Sequence, residues 1–177
     1  MLFALVLGIA LLWVLGPRER VDTDITFERS SIGADIDGWL ATQEASVPAL
    51  RPAAAKRVVW AGEPGSRTPF SLVYLHGFSA SAEEIRPVPD RVAQELGANL
   101  YFARFAGHGR DGPAMAEPRA GDWLEDFAEA MEIGRRIGEE IIILSTSTGG
   151  PIATIGVLDP VHGDGVRGLI FVSPNFE

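Results

Sequence analysis

No cysteine occurs in the 177 residues, and only three histidines do. The first absence excludes disulfides, thiolate zinc sites, iron–sulfur clusters and a cysteine nucleophile. The second leaves too few imidazoles for a multi-histidine metal centre. Basic residues are also scarce. Fifteen Lys and Arg stand against 24 Asp and Glu, for a net charge of −9. That balance argues against a nucleic-acid partner. The 20 glycines and 12 prolines are too few for a low-complexity chain. A composition 46% hydrophobic and 22% charged is that of a folded chain rather than a disordered one. The length suits one domain.

Hydrophobic residues are concentrated first at the N-terminus. Leu2 to Leu15 is apolar, interrupted only by Gly8, and Gly16-Pro17 and the charged Arg18-Glu19-Arg20 follow. As a helix this run spans roughly 20–24 Å, short of the roughly 30 Å hydrocarbon core. It reads as a marginal membrane anchor or the core of a signal peptide. No basic residue precedes it, and bulky Trp13-Val14-Leu15 stand where a cleavage site wants small residues. The expectation is therefore an uncleaved anchor at residues 1–16 that associates the protein with a membrane through residues 2–15. Arg18 and Arg20 are too diluted by acids to fix its orientation. Residues 17–55 read as a polar tether followed by a short helix near 35–45, and residues 56–177 as the one folded domain.

Five short apolar runs follow: Val58–Trp60, Pro69–Leu75, Asn99–Ala103, Ile141–Leu144 and Gly168–Val172. They are continuous rather than alternating, as strands buried on both faces of a parallel sheet are. Helical patterns separate them. Ser81-Ala82-Glu83-Glu84 has capping-box spacing, with Val88, Val92 and Leu96 repeating behind it. Trp123, Leu124, Phe127, Met131, Gly134 and Ile137 form an apolar stripe, and Gly149–Leu158 is a third helix with Pro151 in its first turn. Alternating strands and helices imply an open, mostly parallel, doubly wound α/β sheet.

In such sheets the reactive groups gather at the carboxyl ends of the strands. Two strand ends are informative. Ser145-Thr146-Ser147-Thr148-Gly149 lies between a strand and a helix, the setting of a nucleophile elbow. The positions two before and two after the nucleophile must be small. Ser147 satisfies this with Ser145 and Gly149 as flanks, Ser145 fails it against Ile143, and Thr148 offers only a secondary hydroxyl. The other strand end is His76-Gly77-Phe78. Acyl transfer needs two donors for the developing oxyanion. The backbone N–H groups of Phe78 and Thr148 are the candidates, with His76 and Gly77 supporting the loop. His108, in Gly107-His108-Gly109, reads as a turn residue. His162, behind the third helix, reads as a surface residue.

The strand ending Leu75-His76-Gly77-Phe78-Ser79, then Ala106-Gly107-His108-Gly109, then Asp122-Trp123, then Leu144-Ser145-Thr146-Ser147-Thr148-Gly149-Gly150 occur in an order and at a spacing that resemble the α/β-hydrolase family. The likeness covers roughly residues 56–175 and is strongest to carboxylesterases and monoacylglycerol-lipase-like serine hydrolases. It implies hydrolysis of small-molecule carboxylic esters through an acyl-enzyme on Ser147, with no metal or organic cofactor. Lipid-like esters are suggested only by the apolar N-terminus. The family's chain order is Ser, then Asp or Glu, then His. No triad acid or histidine is recognisable after Ser147, where only one helix, His162 and one strand follow. The expectation is an N-terminal portion of such an enzyme, truncated after the strand that follows the nucleophile helix. The alternatives are a catalytically inactive fragment or binding remnant, and a related peptidase or thioesterase.

Overall fold

A computed structural model describes residues 2–16 and 22–176. Five strands form one sheet in the order β1-β3-β2-β4-β5. They are β1 (Arg57–Val59), β2 (Thr68–Leu75), β3 (Asn99–Phe102), β4 (Gly138–Thr146) and β5 (Val166–Val172). All neighbours are parallel except β1, which runs antiparallel to β3. Each of the five apolar runs is a strand, and the sheet is the open, mostly parallel α/β sheet expected.

Residues alternate across a strand, so β2 feeds two cores. Val73 and Leu75 face one side with Tyr101, Ile141 and Ile143, under α4 (Ala120–Ile137) and α5 (Gly149–Val157). Leu72 and Tyr74 face the other with Leu100, Phe102 and Leu144, under α3 (Val88–Leu96). Phe127, Met131, Ile133 and Ile137 of α4 are fully buried, each contributing roughly 1.5–3 kcal/mol by leaving water. Asp122 starts α4 by accepting the Arg119 N–H at 2.7 Å. Ser81–Glu84 does not start α3 in the same way. That helix opens at Val88, with Pro87 at its cap and Pro89 in its first turn, and the Glu84 carboxylate is used elsewhere.

Two expectations at the N-terminal end are corrected. The apolar run forms α1 (Leu2–Leu15), and Gly16 closes it with an N–H to Leu12 O at 2.8 Å. Its 14 residues rise about 21 Å. No helix among the described residues is long and apolar enough to cross a membrane, so the membrane anchor and the localisation drawn from it fall. The charged flank Arg18-Glu19-Arg20 lies outside the described residues. The stretch from Asp22 onward is no loose tether either. Ile25 and Phe27 pack against the core, and Ile32, Ile36 and Leu40 enter it, the last two from α2 (Ile36–Ala45). Arg136 holds this segment by donating to Ile32 O at 2.9 Å, Gly33 O at 2.9 Å and Arg29 O at 3.0 Å.

Candidate active site

β2 and β4 are adjacent and in register, Leu75 opposite Ser145, so the loops leaving their carboxyl ends meet. Beyond β4 the chain turns sharply into α5. Ser147 occupies the turn at φ 48°, a left-handed conformation that costs a residue with a β-carbon about 1–2 kcal/mol. Its backbone is held on both sides. The N–H donates to Val172 O at 3.1 Å, and the carbonyl accepts from Gly150 N at 2.9 Å and Asn175 N at 3.2 Å. The strain is thus offset by the β5 pairing and the first turn of α5, and the side chain is half-buried.

The elbow's two small flanking residues meet different neighbours. A β-carbon on Gly149 would lie 2.5 Å from Leu75 O and 2.9 Å from His76 O, so the start of α5 rests on the end of β2. Ser145 instead faces β5, its hydroxyl 3.5 Å from Ile170 O. Gly77 is squeezed similarly. A β-carbon there would lie 2.8 Å from Glu84 Oε1 and 3.1 Å from the Ser147 β-carbon. The loop after β2 therefore passes directly beside the nucleophile candidate.

His76 is buried beneath that loop. Its Nδ1–H donates to Gly77 O at 2.8 Å, and its Nε2 accepts the Phe105 N–H at 3.1 Å. An acceptor on Nε2 fixes the neutral Nδ1–H tautomer. Burial, with the nearby His108 and Arg104, pushes its pKa down to about 3. Gly77 O accepts a second bond from Ala80 N at 3.2 Å. In a trans peptide the N–H points opposite the carbonyl. The Phe78 N–H is thereby aimed away from His76 and Ala80, and it makes no hydrogen bond among the described residues. The same holds for the Thr148 N–H, at the cap position of α5.

His108 repeats the bracing one loop away. Its Nε2 accepts the Ser79 N–H at 3.1 Å, its Nδ1 bonds Ala106 O at 3.0 Å, and burial lowers its pKa. Trp123 Nε1 donates to the same Ala106 carbonyl at 3.1 Å. Phe78, more than half exposed, stands edge-on to His108 and Trp123 with ring centres at 6.0 and 6.2 Å. His162 lies at the far end of α5, its Nδ1 3.0 Å from Asp159 Oδ1. None of the three imidazoles reaches the Ser147 hydroxyl. Among the described residues no group of three or more His, Asp or Glu could hold a metal. A cavity of about 430 Å³ lined by Ser46, Arg104, Arg110, Glu117 and Asp126 lies apart from Ser147.

One participant was missed by sequence reasoning. Glu84 Oε2 accepts the Gly77 N–H at 2.9 Å and the Tyr74 hydroxyl at 2.9 Å. The only sequence signal at Glu84 was its spacing from Ser81, which resembles a helix cap.

Residues 68–177 match a family described as serine aminopeptidase, S33. No curated protein matches the sequence. Among solved structures, one of the metagenome-derived lipolytic enzymes LipS and LipT aligns at 23% identity and TM-score 0.59, covering 71% of this chain and 47% of its own. The ferulic-acid-bound Est1E from Butyrivibrio proteoclasticus aligns at 19% identity and TM-score 0.55, covering 67% and 48%. The chain thus spans about half the length of these structures. At such identities they show the fold. The family match extends over more than half of the sequence and includes both loops that meet at Ser147, and on that ground the chain belongs to the serine aminopeptidase S33 family of α/β hydrolases.

Proposed function

We propose that these residues carry the nucleophile and oxyanion hole of a serine hydrolase acting on carboxylic esters. The carrying observation is Ser147 at φ 48° in a strand-to-helix turn, beside two backbone N–H groups that have no hydrogen-bond partner among the described residues. Ser147 Oγ attacks the ester carbonyl and its proton passes to a base. The Phe78 and Thr148 N–H groups stabilise the oxyanion, the alcohol leaves, and water releases the acid from the acyl-enzyme. His76, His108 and His162 are each hydrogen-bonded elsewhere, so none of the three serves as the base. The lipolytic and ferulic-acid-binding relatives favour small-molecule esters. The family's description as an aminopeptidase supports a second reading, the same acyl chemistry on an amide.

The test uses the protein expressed from its full gene. It should hydrolyse p-nitrophenyl butyrate, and Ser147→Ala should cut kcat/KM by at least about 10³-fold. Undiminished turnover by the variant would remove Ser147 from the chemistry. Faster cleavage of an aminoacyl p-nitroanilide would establish the amide reading, and no turnover of either would favour a binding remnant.

A further inference from the structure

Glu84 is set in the loop between β2 and α3, outside any helix, and its bonds serve the site. Its Oε2 takes the Gly77 N–H and the Tyr74 hydroxyl proton. Tyr74 has one proton and gives it to that carboxylate. The 3.1 Å contact between Tyr74 Oη and Thr146 Oγ1 is therefore a bond donated by Thr146. Burial and the neighbouring carboxylate push the Tyr74 pKa up, so the phenol stays a donor. A chain of bonds runs from Thr146, immediately before Ser147, through Tyr74 to Glu84 and on to Gly77, immediately before Phe78.

We propose that Glu84 is a positioning residue for acyl transfer at Ser147, clamping the loop that carries the Phe78 N–H to the strand that carries the nucleophile. The proposal rests on the serine-hydrolase reading above. The two peptide units before Phe78 are held by separate groups. The Gly77–Phe78 unit is fixed through its carbonyl by His76 and Ala80, and the His76–Gly77 unit through its N–H by Glu84. His76 ties the loop to Phe105, beyond β3, whereas Glu84 with Tyr74 ties it to β4. Only the second tie spans the gap between the two oxyanion donors. A donor displaced by about 1 Å costs on the order of 10²-fold in rate.

The experiment compares Ser147→Ala, Glu84→Ala, Glu84→Gln and Tyr74→Phe in the protein expressed from its full gene. Steady-state kinetics is combined with aryl-boronate binding and hydrogen exchange at the Gly77 amide. Glu84→Ala should lower kcat about 10- to 100-fold with KM changed less than about threefold, because the donors act on the transition state. Boronate affinity should fall with kcat/KM, and the Gly77 amide should exchange faster. Glu84→Gln keeps an oxygen acceptor and should recover most of the rate. Tyr74→Phe cuts the tie to Thr146 and should fall between. If Glu84→Ala fails to fold, the Glu84→Gln and Tyr74→Phe values carry the comparison. An unchanged kcat for Glu84→Ala, or a change in KM alone, with Ser147→Ala inactive, overturns the clamp only. Activity surviving in Ser147→Ala, or no turnover by the unaltered protein, overturns the hydrolase reading and the clamp with it.

Discussion

Ser147, Ser79 and Ser173 have φ of 48°, 55° and 45°, and each sits just past a strand end around the site. Three of the four non-glycine residues with positive φ among the described residues therefore lie where the chemistry is proposed, the fourth being Ala49 at φ 55°. Ser147→Gly relieves about 1–2 kcal/mol of backbone strain. Glycine's larger entropy loss of about 0.5–1 kcal/mol offsets part of that gain. The variant should show a higher urea midpoint than the parent and lose any hydrolysis. Gly149→Ala goes the other way. Its new methyl meets the Leu75 and His76 carbonyls and should cost about 1–3 kcal/mol by the same measurement. His76 gives a pH test. The unfolded chain protonates it below 6.5, the folded one only near 3, so within that window the unfolded state binds more protons. Stability should fall as pH drops, with a slope approaching about 1.4 kcal/mol per unit from this residue. Urea midpoints at about pH 7 and about pH 4.5 should differ more for the parent than for His76→Gln. The placement of Ser147 in a turn between a strand and a helix was legible because the steric rules for such a turn are local. The partner of Gly149 was not, since it comes from β2, and Glu84 was hidden because its spacing from Ser81 matches a common cap.

β2, β3 and the middle of β4 were legible as apolar runs because burial on both faces favours apolar residues at successive positions. The antiparallel direction of β1 was not, for it depends on pairing with β3 rather than on its own three residues. Residues 22–34 were misread because their apolar residues, Ile25, Phe27 and Ile32, come singly among polar ones, and their core positions are fixed by what they dock against, whereas the helix expected near 35–45 is α2. α2 docks through a buried ion pair. Arg104 Nε reaches Glu44 Oε2 at 2.9 Å and Nη2 reaches Oε1 at 2.6 Å, both side chains less than a tenth exposed. Removing one partner strands the other charge. Arg104→Met should lose about 3–5 kcal/mol in urea unfolding, and Glu44→Leu with Arg104→Met together should lose less than Arg104→Met alone. A double variant as unstable as the single one would show that the pair contributes through shape rather than charge.

Across the whole molecule, among the described residues, β5 pairs only with β4, and Ile170 and Phe171 are over a third exposed. Leu5 to Leu15 of α1 are likewise largely exposed apart from Gly8. An apolar strand with open N–H and C=O groups pairs readily with another chain. The 177-residue chain should therefore self-associate at micromolar concentration. Ile170→Lys should lower its light scattering, and an unaltered chain that stays monomeric would contradict this. Finally, the Leu75–Ser145 register joins segments far apart in the sequence. Closing so long a loop is slow, and contacts of this separation set the pace of folding. The elbow can acquire its left-handed turn only once β4 lies against β2 and Val172 has arrived to receive the Ser147 N–H. Its strain is then a late expense, absent from the folding transition state. Relieving it in Ser147→Gly should slow the unfolding limb of a chevron plot and leave the refolding limb where it was.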